Sequence, residues 1–232
     1  AESSFIHTSA DADVERLGTI MVITKQMLRD HKLLRSYLSA RVPSKVMEYE
    51  DTQILRGTGT SPQIQGLMAN GGATAFDEAS TGAFFEFFGS GANASATEYD
   101  VLVAAINQIE IANYIADAIL VHPTSYHKMY AQKDADGNQR LYKDSAPLTV
   151  AGVPVYKSTA VTAGQFIAGN FAMGSQLFFR ESLSLEFSED DDTNFRKDLV
   201  TLKASEEVAQ AIWLPNAFAY GTFSTAAAAL TA

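Results

Sequence analysis

Residues 44–72 read SKVMEYEDTQILRGTGTSPQIQGLMANGG. Ser44 to Arg56 predict a helix: Val46, Tyr49 and Gln53 fall on one stripe, Met47, Ile54 and Leu55 widen it, and Glu48, Glu50 and Asp51 face away. The helix runs directly into a Gly/Thr-rich loop over 57–72 that carries a short apolar turn, QGLM. Its Gly-Thr-Gly invites a phosphate-cradling reading. No Lys-Ser/Thr pair follows it, as a P-loop requires, and no G-x-G-x-x-G is present. The expectation is a structural turn.

Upstream, Val14 to Thr24 predict a strand, apolar at Leu17, Ile20, Met21, Val22 and Ile23. Thr24 can cap a short helix, KQMLRD, and a second helical piece follows from His31 to Arg41 with Leu34, Tyr37 and Leu38 on one side. A proline inside a helix removes a backbone hydrogen bond and costs about 3 kcal/mol, whereas in the first turn it costs little. A break is therefore expected at Val42–Pro43, with the long helix starting there.

Downstream, residues 73–94 hold an aromatic cluster, Phe84, Phe85, Phe87 and Phe88, in a partly buried connection. Ser95 or Thr97, with Glu98 or Asp100 three residues on, forms a capping box for a helix whose face is Leu102, Ala105, Ile106, Ile109, Ala112 and Ala116. Ala118 to Val121 predict a buried strand, and Pro123 opens a new helix. A polar turn, KDADGNQRLY, precedes a further strand over Leu148–Tyr156 and a short one over Gln165–Phe171. Leu177–Ser188 alternates from Leu183 onward (Leu183, Leu185, Phe187), so one face is buried, and Glu189 to Asp192 form a solvated hairpin tip. A last long element over 194–223 ends in a tail, STAAAALTA, with nothing to pack and hence expected to be mobile.

Composition excludes several classes of function. Cysteine is absent, which removes disulfides, thiolate metal sites and cysteine nucleophiles together. No apolar run approaches the roughly 20 residues of a membrane helix. A formal charge of −10 argues against nucleic-acid binding through phosphate contacts, which need clustered Lys and Arg. The charge instead keeps the protein soluble, or leaves a mildly repulsive wall. His7, His31, His122 and His127 lack metal-ligand spacing, and no G-x-S-x-G elbow occurs. Asp134, Asp136 and Asn138 mimic a calcium loop, but the glycine sits one place early and no closing Glu follows. Glu206 and Glu207 fall in a predicted strand, where neighbours point to opposite faces and cannot share a substrate. No catalytic, cofactor-binding or metal residue is assigned, and the expectation is a protein that is not an enzyme.

The helix and glycine loop, through Leu55, Gly57, Gly59, Thr60, Gly66 and Leu67, resemble the spine helix and glycine loop of tailed-phage major capsid proteins, the Hong Kong 97 fold. Gly152, Pro154 and Val155 match a strand of that family. Gly169, Asn170 and Phe171 match a second, and Pro215, Ala217 and Phe218 its closing signature. The matches keep their order across roughly residues 14–223.

The resemblance implies an α+β capsid fold: a peripheral domain with the spine helix, and an axial domain of mixed sheet flanked by helices. The implied division is 1–24 as E-loop remnant and returning strand, 25–94 with 183–210 as peripheral domain, 95–182 with 211–223 as axial domain, and 224–232 as tail. It implies a structural head protein of a tailed phage or prophage that self-assembles into an icosahedral shell around double-stranded DNA. Implied partners are copies of itself in pentamers and hexamers, DNA bound without sequence specificity, and a scaffold, protease and portal, with no membrane. Implied location is the virion head, and the bacterial cytoplasm before assembly. The N-terminal arm and the first part of the E-loop are missing from the family pattern, so a trimmed chain, monomeric or weakly associated, is expected. Some family members weld their shells with a Lys–Asn isopeptide bond. Here the Asn position is Asp198 and the assisting Glu falls at Ser205, so no autocatalytic crosslinking is expected. An encapsulin-like nanocompartment shell shares the fold, and a small-molecule-binding or hydrolytic α+β domain is the reading from another class.

Overall fold

The computed structural model describes residues 12–30, 32–77, 96–132, 148–190 and 194–230. In chain order the elements are β1 (Glu15–Thr24), α1 (Lys25–Asp30), α2 (Lys32–Arg56), β2 (Thr74–Ala75), α3 (Glu98–Ile111), β3 (Ala118–Val121) and α4 (Pro123–Tyr130). They continue with β4 (Thr149–Val150), β5 (Val153–Lys157), β6 (Gln165–Gly169), α5 (Phe171–Gly174), β7 (Ser175–Ser188), α6 (Asn194–Lys197), β8 (Leu199–Ile212), β9 (Phe218–Thr222) and α7 (Phe223–Ala229). Two compact units emerge. The first takes in the described residues of Ala1–Ile54, Thr58–Gln65 and Leu177–Ala211; the second takes in those of Leu55–Gly57, Gly66–Gln176 and Ile212–Ala232. These borders differ from the expected ones: 66–77 fall with the second unit because Leu67 and Ala73 are buried in its core.

In the first unit a three-stranded sheet, order β1-β8-β7, carries α2 on one face. β1 pairs antiparallel with β8 from Glu15↔Val208 to Thr24↔Leu199. Thr24 caps α1 as expected, its Oγ1 accepting from the Met27 amide at 3.3 Å. The expected break at Val42–Pro43 does not occur, because α2 runs through Pro43. Leu38, Val42 and Val46 recur every fourth residue and are buried with Leu202 and Ala204, so an apolar stripe spans the proline. Burying one such side chain contributes about 1.5–3 kcal/mol, so three of them offset the ~3 kcal/mol cost of a helical proline. This stripe also corrects the expected one. Val46 and Gln53 are buried, but Met47 and Tyr49 are exposed, and Glu50 turns partly inward.

The second unit is built on a six-stranded mixed sheet, order β2-β9-β6-β3-β5-β4, parallel at β2–β9 and β3–β5 and antiparallel elsewhere. Side chains alternate across it. Ile119, Val121, Phe166, Ala168 and Ala219 join a core with α3, Met129 of α4 and Phe223 and Ala226 of α7. Leu120, Ile167, Phe218 and Tyr220 join a second core with Leu55, Leu67 and Val161. Both faces are thus covered, which is why β3 reads as uninterrupted AILV.

α3 begins at the expected capping box, with Thr97 as N-cap and Asp100 its partner, and Pro123 stands at the first position of α4. Leu148–Tyr156 is two strands: Ala151 and Gly152, at φ 48° and 86°, form a two-residue turn between β4 and β5. The tail expected to be mobile contains α7, whose Phe223 and Ala226 are buried together with Leu230 just beyond it. A face of small residues meeting a preformed core supplies the packing partner that the tail's own residues do not reveal. The phenylalanine cluster at 84–88, the turn at 133–142, His7 and His31 lie outside the described residues.

Candidate functional site

The glycine loop closes the C-terminal end of α2, where helix carbonyls lack intrahelical partners. The Met68 amide donates to the Leu55 carbonyl at 2.7 Å, and the Gly66 amide to the Gly57 carbonyl at 2.8 Å. Gly59 donates to Ile64 at 3.1 Å, and the Gln63 side-chain oxygen accepts from the Thr58 amide and hydroxyl at 3.2 and 3.0 Å. The amides of Gln63, Ala69, Gly72 and Ala73 also donate within the loop. A phosphate cradle needs free, convergent N–H groups, and these are already used. Gly66 and Gly72 are required by contact: a Cβ on Gly66 would lie 2.4 Å from the Gly57 nitrogen, and one on Gly72 would lie 2.4 Å from the Gly66 oxygen. The loop is a clamp that holds the helix end.

Carboxylates along β8 separate by face. Glu207 accepts from Arg16 Nη2 and Nε at 2.8 and 3.1 Å and lies 3.5 Å from Arg180, while Arg16 also reaches Glu181 at 3.6 Å. Glu206 points the other way and is buried, so the two share no substrate. Asp198 adopts φ 55° and lies 3.9 Å from Lys25, which pairs more closely with Glu189 at 3.0 Å. Both acids are mostly exposed. Asp198 therefore sits in an exposed ion-pair environment and not in a water-excluded pocket of the kind an amide-forming acid occupies. Ser205, at the position of the assisting Glu, is buried with its carbonyl accepting from the Ser184 hydroxyl.

The histidines within the described residues have local roles. His122 Nδ1 accepts from the Thr124 amide at the start of α4, and His127 stacks edge-on against Tyr126. Among the described residues no group of three His, Cys, Asp or Glu could hold a metal ion, and no helix is long and apolar enough to cross a membrane.

Sequence reading does not single out three exposed apolar residues carried on adjoining backbone segments. Asn170 donates to the Ile115 carbonyl at 2.8 Å and accepts from the Met173 amide at 2.9 Å, and the Gly174 carbonyl accepts from Trp213 at 2.9 Å. Asp117 accepts from the amides of Phe171 and Ala172, both at 3.0 Å. These bonds join the backbone segments that carry Ile115, Met173 and Trp213, which are 77%, 67% and 55% exposed. A contiguous exposed apolar patch marks a surface that meets another protein, which makes these three residues candidates for such a contact. The available signal is the Gly-Asn-Phe at 169–171: Gly169 leaves room for the Phe218 ring, Asn170 caps α5, and Phe171 packs edge-on against Phe218 at 5.3 Å.

The sequence matches the phage capsid family over residues 2–223. It is 30% identical over 227 residues to the major capsid protein of Enterobacteria phage HK97, covering 97% of this chain and 55% of that one, so it spans about half the relative's length. The fold matches the capsid of an empty GTA particle (20% identity, TM-score 0.63, 95% of this chain and 78% of that one). It also matches a structure from Gordonia phage Cozz (12% identity, TM-score 0.65, 96% of this chain and 78% of that one).

Proposed function

Because the chain belongs to the phage capsid family, we propose that it forms the body of a tailed-phage or prophage major capsid protein, copies of which tile into an icosahedral shell around double-stranded DNA. The observation that carries this reading is the family match from residue 2 to 223 on a capsid fold whose polar loops are internally bonded. On this reading the first unit is the peripheral domain with α2 as its spine, and the second is the axial domain. Partners are copies of the same chain in pentamers and hexamers, with scaffold, protease and portal acting during assembly. A charge of −10 suits a wall that encloses DNA without gripping it. The protein resides in the virion head and, before assembly, in the bacterial cytoplasm. Electron microscopy of the full-length protein tests the proposal: closed shells of uniform size are expected, and discrete small oligomers at every concentration would overturn it.

Trp213 is the sole tryptophan, so its emission reports the proposed contact surface directly. On assembly of this chain its emission should move to shorter wavelength. Trp213→Glu should raise the concentration needed for assembly at least about tenfold, because losing an interface aromatic commonly costs 2 kcal/mol or more. The subunit's own stability should stay within about 0.5 kcal/mol, as for other exposed positions. An unchanged assembly threshold would remove this surface from the interface.

The shell should hold together without covalent links through Asp198. Boiling assembled particles in SDS should release monomers, because Asp198 and Ser205 stand where the crosslinking pattern has Asn and Glu, and a ladder of covalent oligomers would overturn this.

A further inference from the structure

Between α2 and the sheet of the first unit, an apolar contact gives way to a polar one. Leu38, Val42 and Val46 lie against Leu202 and Ala204. Glu50 stands one turn further along the helix and Gln53 two, and two residues further along β8, on the same face, stands Glu206. Glu206 is 3% and Gln53 6% exposed, and Oε1 of each lacks a hydrogen-bond partner. Such orphaned acceptors are rare and costly.

No cation answers them among the described residues. On α2, Asp51 adds a third acid near Glu50, while Lys45 and Arg41 gather around Glu48 on the exposed side. On β8, Lys203 and Glu207 belong to the far face, where Lys203 meets Glu186 and Glu207 meets Arg16 and Arg180. On β1, Leu17 stands opposite Glu206, with Glu15 two residues along on the same face. On β7, Leu183 and Leu185 join the apolar contact, and Glu181 reaches Arg16. The cluster is rich in acceptors and poor in donors. A proton on either carboxyl supplies the O–H donor it lacks.

We propose that Glu50 and Glu206 form a proton-operated latch: while the pair holds a proton, the C-terminal half of α2 stays closed on β8, and losing it loosens that half of the helix. Burial first, then the charges of Glu206 and Asp51, push the Glu50 carboxyl up to about 7, and burial raises Glu206 as well. Both folded values lie above the unfolded range near 4.5. The latch's contribution is therefore complete below about pH 4.5 and is lost as pH rises through 7. This goes beyond the shell reading, because it operates within one subunit whether or not that subunit assembles.

The test compares melting and amide hydrogen exchange of the chain at pH 5.5 and 8.5 with those of Glu50→Gln and Glu206→Gln. The unsubstituted chain should lose roughly 5 °C between these pH values, and amides over 47–54, corrected for intrinsic rates, should exchange at least about tenfold faster at pH 8.5. Either glutamine should clearly reduce both changes, leaving the part that burial gives the remaining carboxyl. Glu48→Gln removes the same charge from the solvent side and should flatten neither. If Glu206→Gln fails to fold, Glu50→Gln on the half-buried helix face decides alone. Unaltered pH profiles in the glutamine variants would overturn the latch. So would recovery of the unsubstituted chain at pH 8.5 on adding millimolar magnesium or calcium, which would make the pair a cation site.

Discussion

Gly66→Ala should cost about 3–5 kcal/mol, comparable to emptying a large core position. A Cβ at residue 66 would lie 2.4 Å from the Gly57 nitrogen, 2.8 Å from the Arg56 nitrogen and 2.9 Å from the Arg56 carbonyl carbon. All three are backbone atoms at the end of α2, so no side-chain rotation relieves the contact. Either the loop lifts or the helix end unwinds. Lifting the loop breaks the Gly66–Gly57 and Met68–Leu55 hydrogen bonds and exposes Leu67, which is almost fully buried. Urea unfolding should show a lower midpoint with no stabilising trend at any pH. Gly152→Ala is the matched control. That glycine has φ 86°, and a methyl added there would meet nothing within 4 Å, so only the backbone penalty of about 1 kcal/mol remains. Equal costs at the two positions would mean that the loop does not clamp the helix.

The contrast between these two glycines shows what a sequence can reveal. Gly66 lies in a motif whose spacing to Leu55 and Gly57 carries the family resemblance, and the close backbone approach is the physical reason for that spacing. The capping box at Thr97 and Pro123 at the head of α4 are likewise legible, because each depends on neighbours a few residues away, whereas the alternation expected in β7 fails at Phe187, which is exposed. What escapes reading depends on distant partners. Pro43 reads as a stop because the compensating stripe is completed by Leu202 and Ala204, more than 150 residues downstream. The C-terminal alanines look unanchored because the core that receives Phe223, Ala226 and Leu230 is built from α3 and the central strands. Glu50 reads as facing water, since a helical wheel around Val46 and Tyr49 cannot register that Tyr49 is exposed and Glu206 buried. That the segments carrying Ile115, Met173 and Trp213 adjoin is invisible for the same reason, since they are joined by hydrogen bonds between residues far apart in the chain.

A double-mutant cycle at Gly169 and Phe218 tests whether the family's closing signature is a packing device. Phe218 is nearly inaccessible, and its ring runs between two glycines. A Cβ on Gly169 would lie 2.1 Å from Phe218 Cδ1, and one on Gly174 would lie 2.4 Å from Cε2. Phe171 closes the site edge-on, at 5.3 Å between ring centroids. Phe218→Ala should therefore cost about 3–5 kcal/mol, through lost transfer energy and the cavity left behind. Gly169→Ala should cost about 1–3 kcal/mol, because the enclosed ring has nowhere to move. The pair should not add. Once the ring is gone, the new methyl enters the space it occupied, and the double variant should be at least about 1 kcal/mol more stable than the sum of the singles implies. Gly174→Ala should couple to Phe218→Ala with the same sign. Strict additivity would show that the glycines are kept for backbone conformation instead, which their geometry does not require, since neither has positive φ.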